Sequence, residues 1–272
     1  MSTTSITQAA ALLVAIRRAQ QPPVAALPDV LAPRHEDDAY AIQHAVLQQL
    51  GVQAGGWKAT MPDAHSMLSA PIIAGMVLPS PARLTPAITA TQGTQRWGIE
   101  PEIAFRLQRA LPARTGQPYA REEVLAAVAA AHAAIEICVS RFIDHEAVPP
   151  LDRLADAIIN EALVLGLPQS DWRALDLPQL SLRVLIDGEP VHEGHGGHPI
   201  GDPVIPLVAI ANHLAARGMG LRAGDVVTTG SFNGIRYAGV GQHVQVEFAG
   251  FGAASIAFAN QPAAGGAIFQ RR

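Results

Sequence analysis

The chain has few of the features that mark secreted, membrane-spanning or nucleic-acid-binding proteins. Of its 272 residues only Cys138 is a cysteine. No internal disulfide is therefore available, a reducing compartment is the simpler assumption, and the thiol is expected to pack as a small apolar group. The chain contains no apolar run of about 18 residues, the length that crosses a bilayer, and residues 1–20 fit an amphipathic helix better than a signal peptide. The net charge of −4 offers no basic surface for nucleic acid. We therefore expect a cytoplasmic protein without nucleic-acid or membrane partners.

The order of the sequence patterns predicts an α+β protein. Apolar residues recur at helical spacing in residues 4–20 and 36–50, and Gly51 supplies a helix stop. From residue 55 onward short apolar segments alternate with glycine and proline, which indicates a strand-rich body. We predict strands at 57–60, 72–78, 99–107, 135–142, 180–186, 226–229 and 244–248. Three domain segments follow: an N-terminal helical region over 1–54, a β-rich domain over 55–260 and a flexible tail over 261–272.

Helices are predicted between some of these strands. The alanine-rich segment 121–134, the segment 151–165 and the segment 204–217 have helical patterns, and the last begins after a proline and ends before a glycine. Asp187-Gly188 follows a strand and predicts a tight hairpin turn.

Two acidic residues, Glu100 and Glu102, lie at alternate positions of a predicted strand, so their carboxylates point to the same face. An isolated pair of this kind more often faces water. Here, however, Glu136 and Arg141 are the only formal charges in the apolar run 132–143, and Glu136 is a candidate third carboxylate. Three carboxylates among apolar neighbours repel one another unless a cation neutralises them. Oxygen donors of this kind favour Mg²⁺ or Mn²⁺ over zinc.

Several short motifs are spread over most of the chain. They are residues 38–43, Gly56-Trp57-Lys58, residues 99–105, Ile135-Glu136-Ile137, Ser140-Arg141, residues 154–156, 164–166 and 201–203, Ala211-Asn212, residues 223–225 and Thr229-Gly230-Ser231. No motif is decisive alone, but their shared order is specific. In this order they resemble the fumarylacetoacetate hydrolase superfamily, specifically its branch of 2-oxopent-4-enoate hydratases and 4-oxalocrotonate decarboxylases.

The resemblance implies a fold and a chemistry. The implied fold is an N-terminal helical region followed by a mixed β-sheet roll or barrel that carries Mg²⁺ or Mn²⁺ on Glu100, Glu102 and Glu136. The metal would chelate the 1-carboxylate and 2-oxo group of a small 2-oxo acid and stabilise an enolate, so the implied activity is that of a lyase, a hydratase or decarboxylase in aromatic compound catabolism. The resemblance also implies a homo-oligomer, with a pathway enzyme as a further candidate partner.

Other site residues follow from the same resemblance. Lys58 is the candidate catalytic lysine, holding the substrate carboxylate or enolate or shuttling a proton; a surface lysine is the alternative. Asp156 is the candidate catalytic acid near the metal, or else part of a solvated helix face. Arg141 is a candidate substrate clamp, or it pairs with Glu136 or Asp156. Thr229 and Ser231 are candidate substrate-binding residues, or belong to a plain turn.

The chain departs from the family pattern at two places. The branch usually carries Pro-Asp-Phe-Gly after the lysine strand, whereas this chain reads Ala-Pro-Ile-Ile-Ala-Gly at 70–75 and lacks the acid. After Asp156 the branch favours Asn-Ala-Ser-Ser, whereas residues 157–161 read Ala-Ile-Ile-Asn-Glu. Either the proton relay differs, or Glu161 substitutes.

Histidines offer a further, less favoured set of candidates. His192, His195 and His198 have a spacing that suggests metal binding, but the flanking glycines argue for a loop. A neutral histidine there, or His65, is a candidate general base.

Two other functions remain open. A C–C hydrolase of the same superfamily would act on an acylpyruvate and would need a histidine–glutamate pair, which the sequence does not identify. A non-catalytic partner subunit would explain the missing acid, but the three retained carboxylates argue against it.

Overall fold

The computed structural model describes residues 1–85 and 96–259, so the predicted tail at 261–272 lies outside the described residues. Two helices begin this part of the chain, and the remaining three helices lie between strands. The helices are α1 (Thr3–Arg17), α2 (Glu36–Leu50), α3 (Arg121–Ala127), α4 (Pro150–Ala155) and α5 (Val204–Ala216). The strands are β1 (Ala54–Thr60), β2 (Leu68–Ile73), β3 (Val77–Pro79), β4 (Ala82–Leu84), β5 (Arg96–Leu107), β6 (Val128–Cys138), β7 (Asn160–Leu165), β8 (Ser181–Ile186), β9 (Glu189–His195), β10 (Val226–Thr228), β11 (Arg236–Gly239), β12 (His243–Phe248) and β13 (Gly252–Phe258).

The two N-terminal helices pack together and are held at their ends by local hydrogen bonds. The carboxylate of Asp38 accepts hydrogen bonds from the backbone N–H groups of Arg34 and His35, and it pairs with the Met1 amino group at 2.7 Å. Gly51 ends α2 in the left-handed conformation, with φ of 70°, which glycine adopts at little cost. The predicted helix over 36–50 and its stop are confirmed.

The strands form two mixed sheets. One has the order β2-β1-β10-β5-β6-β7-β3, with β11 also paired to β5, and the other has the order β4-β13-β12-β8-β9. The pairs β1–β10, β3–β7 and β4–β13 are parallel and the other pairs are antiparallel. Side chains from both sheets meet in one apolar core. The predicted α+β class with mixed sheets is confirmed.

The helix predicted over 121–134 is wrong beyond Ala127. From Val128 to Cys138 the chain is strand β6, which lies inside the first sheet between β5 and β7 and is buried at nearly every position. Alanine has a high helix propensity, but the small side chains here fit a strand that is covered on both faces. Tertiary packing therefore overrides local propensity.

The helix predicted over 151–165 is also wrong, since α4 ends at Ala155 and β7 begins at Asn160. Between them Ala157, Ile158 and Ile159 have φ of 52°, 49° and 59°. Three successive non-glycine residues with positive φ, two of them β-branched, form a strained turn that other contacts must hold in place.

Other local predictions agree with the structure. The hairpin at Asp187 and Gly188 is confirmed, with φ of 54° and 86° between β8 and β9, and helix α5 matches the segment predicted over 204–217. The predicted strand over 72–78 is instead two strands separated by a 3-10 turn at Ala74–Met76. Within residues 1–85 and 96–259, no helix combines the length and the apolar character that a membrane span requires.

Candidate active site

Strand register brings the predicted acidic residues onto one patch of the first sheet. Glu100 on β5 lies directly opposite Glu136 on β6, and Glu102 follows two residues along β5 on the same face. Lys58 on β1 reaches the same patch across β10, because Lys58 is paired with Thr228 and Thr228 with Ala104. Three acids and one lysine therefore share one surface of the sheet.

The ammonium group of Lys58 lies between two of the carboxylates. Its Nζ atom is 2.9 Å from Glu136 Oε1 and 3.4 Å from Glu100 Oε2, and it donates a further hydrogen bond of 3.3 Å to the carbonyl of Ile158. Burial alone lowers the pKa of Lys58, but attraction to Glu136 and Glu100 outweighs it, so the pKa lies well above its ordinary value. The side chain is a buried cation, and the alternative of a surface lysine is wrong.

Glu102 is fully buried and only half satisfied. Its Oε2 atom accepts hydrogen bonds from the Thr228 hydroxyl and from the Gly230 N–H at 2.9 Å, whereas its Oε1 atom has no hydrogen-bond partner among the described residues. Burial, together with repulsion from Glu136 and Glu100, raises the pKa of Glu102 well above its ordinary value. A buried carboxylate with a free oxygen is suited to a cation.

Glu136 shows the same pattern. Asn160 donates a hydrogen bond of 2.9 Å to Glu136 Oε1, and Oε2 has no partner among the residues that the structure describes. Burial raises the pKa of Glu136, and Lys58 opposes the rise. Sequence reasoning did not single out Asn160, which enters the site only because β7 starts at this residue.

The thiol of Cys138 lies at the edge of the acid cluster, which consists of Glu100, Glu102 and Glu136. The sequence predicted only apolar packing for this thiol. Its Sγ atom is 3.3 Å from Glu100 Oε2, and one donor atom from each of Glu100, Glu136 and Cys138 lies within 4.8 Å of the others. Glu102 is outside that tight group and approaches from the β10 side. The chemistry of the set, mainly carboxylate oxygens, fits a hard divalent cation such as Mg²⁺.

Arg141 and Asp156 form an ion pair with each other, away from the acid cluster. The Arg141 guanidinium donates to the Asp156 carboxylate and, at 2.9 Å, to Glu161, and it also donates to the backbone carbonyls of Asp156 and Asn160. Arg17 on α1 reinforces this network through a 3.1 Å pair with Glu161. The network spans both ends of the strained turn at residues 157–159.

This arrangement answers three expectations from the sequence. Arg141 pairs with Asp156, one of the two alternatives to substrate binding, and neither residue lines the large cavity at the acid cluster. Glu161 is occupied by Arg17 and Arg141, so it does not replace the missing acid. Ile72, where the family pattern has that acid, is fully buried in the apolar core.

The turn after β10 supplies Thr229 and Ser231 to the cavity wall. The Thr229 hydroxyl donates 2.8 Å to the carbonyl of Ile103, and the Ser231 hydroxyl donates 3.0 Å to the carbonyl of Gly234. The Thr229 hydroxyl proton is therefore bound to β5 and the Ser231 hydroxyl proton is bound within the turn. The backbone N–H of Gly230 instead orients Glu102.

The candidate histidines do not gather at one point. His198 is buried, its Nε2 is 2.9 Å from the carbonyl of Thr229, and its Nδ1 faces the N–H of Ile200, so the neutral ring braces the turn. Burial lowers the pKa of His198, which keeps it neutral. His192 and His195 lie on β9, and His65 follows β1 in an exposed loop. None of the four lines the cavity.

The acid cluster opens into a cavity of about 630 Å³. This volume is within the range typical of small-molecule sites. Lys58, Glu100 and Glu102 form its floor; the remaining wall is largely apolar and includes Met61, Leu68, Ile158, Ile200, Phe232 and Ile235. One further cation, Arg153 on α4, also faces the cavity. A few converging charges in an apolar pocket are the usual form of an enzyme site.

Sequence comparison defines the class of protein to which this fold and site belong. The family model described as fumarylacetoacetate (FAA) hydrolase C-terminal matches residues 54–258, which include the strands that carry the three glutamates and Lys58. The chain belongs to the fumarylacetoacetate hydrolase family.

Within the family, the chain is similar in sequence to hydratases and similar in fold to a decarboxylase. A 2-hydroxyhexa-2,4-dienoate hydratase of Comamonas testosteroni is 32% identical over 159 residues, covering 58% of this chain and 59% of the relative. A 2-keto-4-pentenoate hydratase of Paraburkholderia xenovorans is 31% identical over 232 residues, covering 77% of this chain and 78% of that relative. The structure of 4-oxalocrotonate decarboxylase from Pseudomonas putida G7, complexed with magnesium and adipate, has the same fold, with a TM-score of 0.80, 19% identity, and coverage of 95% of this chain and 98% of that one.

Proposed function

We propose that the protein is a divalent-metal-dependent lyase that acts on a 2-oxo-enoate, by hydration or by decarboxylation. The observation that carries the proposal is the group of three glutamates beside Lys58, of which Glu100 and Glu102, together with Lys58, line the cavity, while Glu136 is buried directly behind them opposite Glu100. The hydratase relatives support it, because the chain shares their family and their names describe this reaction class.

A metal fits the site only if carboxylate oxygens are available to bind it. Glu102 Oε1 and Glu136 Oε2 are buried without hydrogen-bond partners in the described part of the chain, which is costly unless a cation meets them. We assign Glu100, Glu102 and Glu136 as its ligands. A bound Mg²⁺ or Mn²⁺ supplies Lewis-acid polarisation of a 2-oxo group.

Lys58 contributes a fixed positive charge to the same end of the cavity. Because its pKa is raised, the side chain is protonated at neutral pH and acts as a hydrogen-bond donor to a substrate carboxylate or developing enolate. The hydrogen bond to the Ile158 carbonyl fixes the direction of the ammonium group. The Arg141–Asp156 pair thus acts indirectly, by holding the turn that carries Ile158.

Hydration also requires water to reach the substrate, and the cavity is open to solvent. Thr229 and Ser231 line the cavity on either side of Gly230, whose N–H donates to Glu102. The proposal includes a homo-oligomeric assembly, which size-exclusion chromatography with light scattering would measure.

The reaction is tested with purified protein and added Mg²⁺ or Mn²⁺. We expect ultraviolet loss of 2-hydroxypenta-2,4-dienoate or 2-oxohex-3-enedioate, abolished by a chelator and restored by the metal. Turnover of an acylpyruvate alone would support the C–C hydrolase instead. That alternative is less favoured, because it needs a histidine–glutamate pair. His145 lines the cavity, but no carboxylate oxygen of the described residues lies within 4.0 Å of its ring nitrogens. Absence of both turnover and metal binding would favour a non-catalytic subunit.

A further inference from the structure

Arg153 is a charged side chain in the cavity that the proposed chemistry does not use. It lies on the short helix α4, is partly exposed, and lines the same cavity as Lys58 and the acidic floor. The cavity lining that the structure describes holds two permanent cations, Lys58 and Arg153. Their surroundings differ.

Lys58 is neutralised, whereas Arg153 is not. Lys58 lies within salt-bridge distance of Glu136 and Glu100. For Arg153, no carboxylate oxygen of residues 1–85 and 96–259 lies within 4.0 Å, and no hydrogen bond links its guanidinium to those residues. The nearby Arg141, by contrast, has two carboxylate partners. Arg153 thus presents an unpaired charge to the cavity.

Arg153 lines the same cavity as the acid cluster without pairing with it. It is more than 4.0 Å from every carboxylate oxygen of Glu100, Glu102 and Glu136. Apolar side chains, among them Leu68 and Ile158, line the cavity together with both charged groups. A ligand that binds at the acid cluster and also contacts Arg153 therefore needs a second anionic group, joined to the first by a short apolar chain. The guanidinium fork is suited to binding a carboxylate through two hydrogen bonds.

We propose that Arg153 binds a second carboxylate of the substrate, and that the substrate class is therefore a 2-oxo dicarboxylic acid rather than a 2-oxo monocarboxylic acid. This inference rests on the proposed function, which places the 2-oxo acid end of the substrate at the glutamates and Lys58. Arg153 is accordingly a specificity-determining residue.

The test compares two unreactive ligands of equal length in the presence of Mg²⁺. 2-Oxoadipate and 2-oxohexanoate share six carbons and the 2-oxo acid end, and differ by a terminal carboxylate in place of a methyl group. By isothermal titration calorimetry we expect the diacid to bind the wild-type protein at least about tenfold more tightly, as one charge-assisted contact would give. Arg153→Met should remove this preference and leave the affinity for 2-oxohexanoate within about twofold, while Arg153→Lys restores part of it.

Arg109→Met is the matched control, because Arg109 is exposed and outside the cavity lining. Equal affinities of wild-type protein for the two ligands, or an equal loss of both in Arg153→Met, would overturn the inference. If either of these two outcomes is found while both acids bind and 2-oxo-enoates turn over, only the assignment of Arg153 is wrong and the proposed function stands. If neither acid binds and nothing turns over, the proposed function fails together with it.

Discussion

Replacing Glu102 by glutamine should make the metal-free protein more stable and at the same time remove its response to metal. The amide keeps one carbonyl oxygen for the Thr228 hydroxyl and the Gly230 N–H, and it removes the negative charge. Few substitutions of a buried charged residue are expected to stabilise a protein. The expectation follows here because Glu102 has a free buried oxygen and like-charged neighbours.

The magnitude follows from strand geometry. Two residues along a strand separate Glu102 from Glu100 by about 6.8 Å, and a diagonal neighbour such as Glu136 lies about 7–8 Å away. At an effective dielectric constant of about 20, two like charges about 7 Å apart repel by about 2.4 kcal/mol. Attraction to Lys58 offsets part of this, so we expect a stabilisation on the order of 1–3 kcal/mol. For a chain of this size that corresponds to a rise in Tm of roughly 2–4 °C per kcal/mol.

Thermal unfolding with and without Mg²⁺ measures both effects. At a Mg²⁺ concentration about 100 times its Kd, the wild-type protein should gain about 2.7 kcal/mol, and Glu102→Gln should gain nothing. Glu189→Gln, an exposed residue at the start of β9, is the matched control and should behave as wild type. If Glu102→Gln is less stable than wild type without metal, Glu102 is not destabilised by its neighbours; if it keeps the wild-type response to Mg²⁺, Glu102 is not a metal ligand.

Three further expectations concern the same site and its support. Lys58→Met should keep or increase the Mg²⁺-induced rise in Tm, because the variant lacks the ammonium group that competes with the metal for Glu136. It should lower kcat in the ultraviolet assay by about 100-fold or more. An unchanged kcat would show that Lys58 has no part in the mechanism. Arg141→Met leaves the buried Asp156 carboxylate without its ion-pair partner, while Glu161 keeps Arg17, so denaturant titration should show a decrease in the free energy of unfolding of roughly 3–5 kcal/mol. A decrease below about 1 kcal/mol, the size of a surface pair, would contradict the buried network. The pKa of Glu102 is raised in the folded protein, whereas a glutamate in the unfolded chain has a pKa of about 4.3. The stability of the metal-free wild type should therefore fall as the pH rises from that lower pKa through the raised one, and the fall should be smaller in Glu102→Gln. An equal pH slope in the two proteins would assign the dependence to other groups.

Local periodicity was sufficient to predict the parts of the structure that local forces decide. Helix α2 has the predicted bounds, and the alternation of Glu100 and Glu102 correctly placed their side chains on one face of a strand. That Glu136 lies opposite Glu100 depends on strand register, which the sequence pattern does not contain. For Glu136 the prediction rested on the scarcity of charge in its strand and on family resemblance.

The errors have physical causes that lie in tertiary contacts. The alanine-rich residues of β6 read as a helix because propensity is a weak prior that burial between two strands overrides. The turn at Ala157–Ile159 is wrongly predicted as part of a helix. Its left-handed backbone depends on hydrogen bonds from the Arg141 guanidinium to the carbonyls of Asp156 and Asn160, and Arg141 lies in another part of the chain. The same dependence hid Asn160, whose position next to Glu136 follows from that turn.

Glu100, Glu102 and Glu136 are proposed to bind one divalent cation jointly beside Lys58. The most direct measurement is the anomalous diffraction of a crystal grown with Mn²⁺ and a 2-oxo acid. We expect a single strong peak about 2.0–2.3 Å from a carboxylate oxygen of each of the three glutamates, with the 2-oxo acid in the adjoining cavity. A peak elsewhere in the molecule, or none while the Lys58–Glu136 pair persists at its 2.9 Å distance, would contradict it.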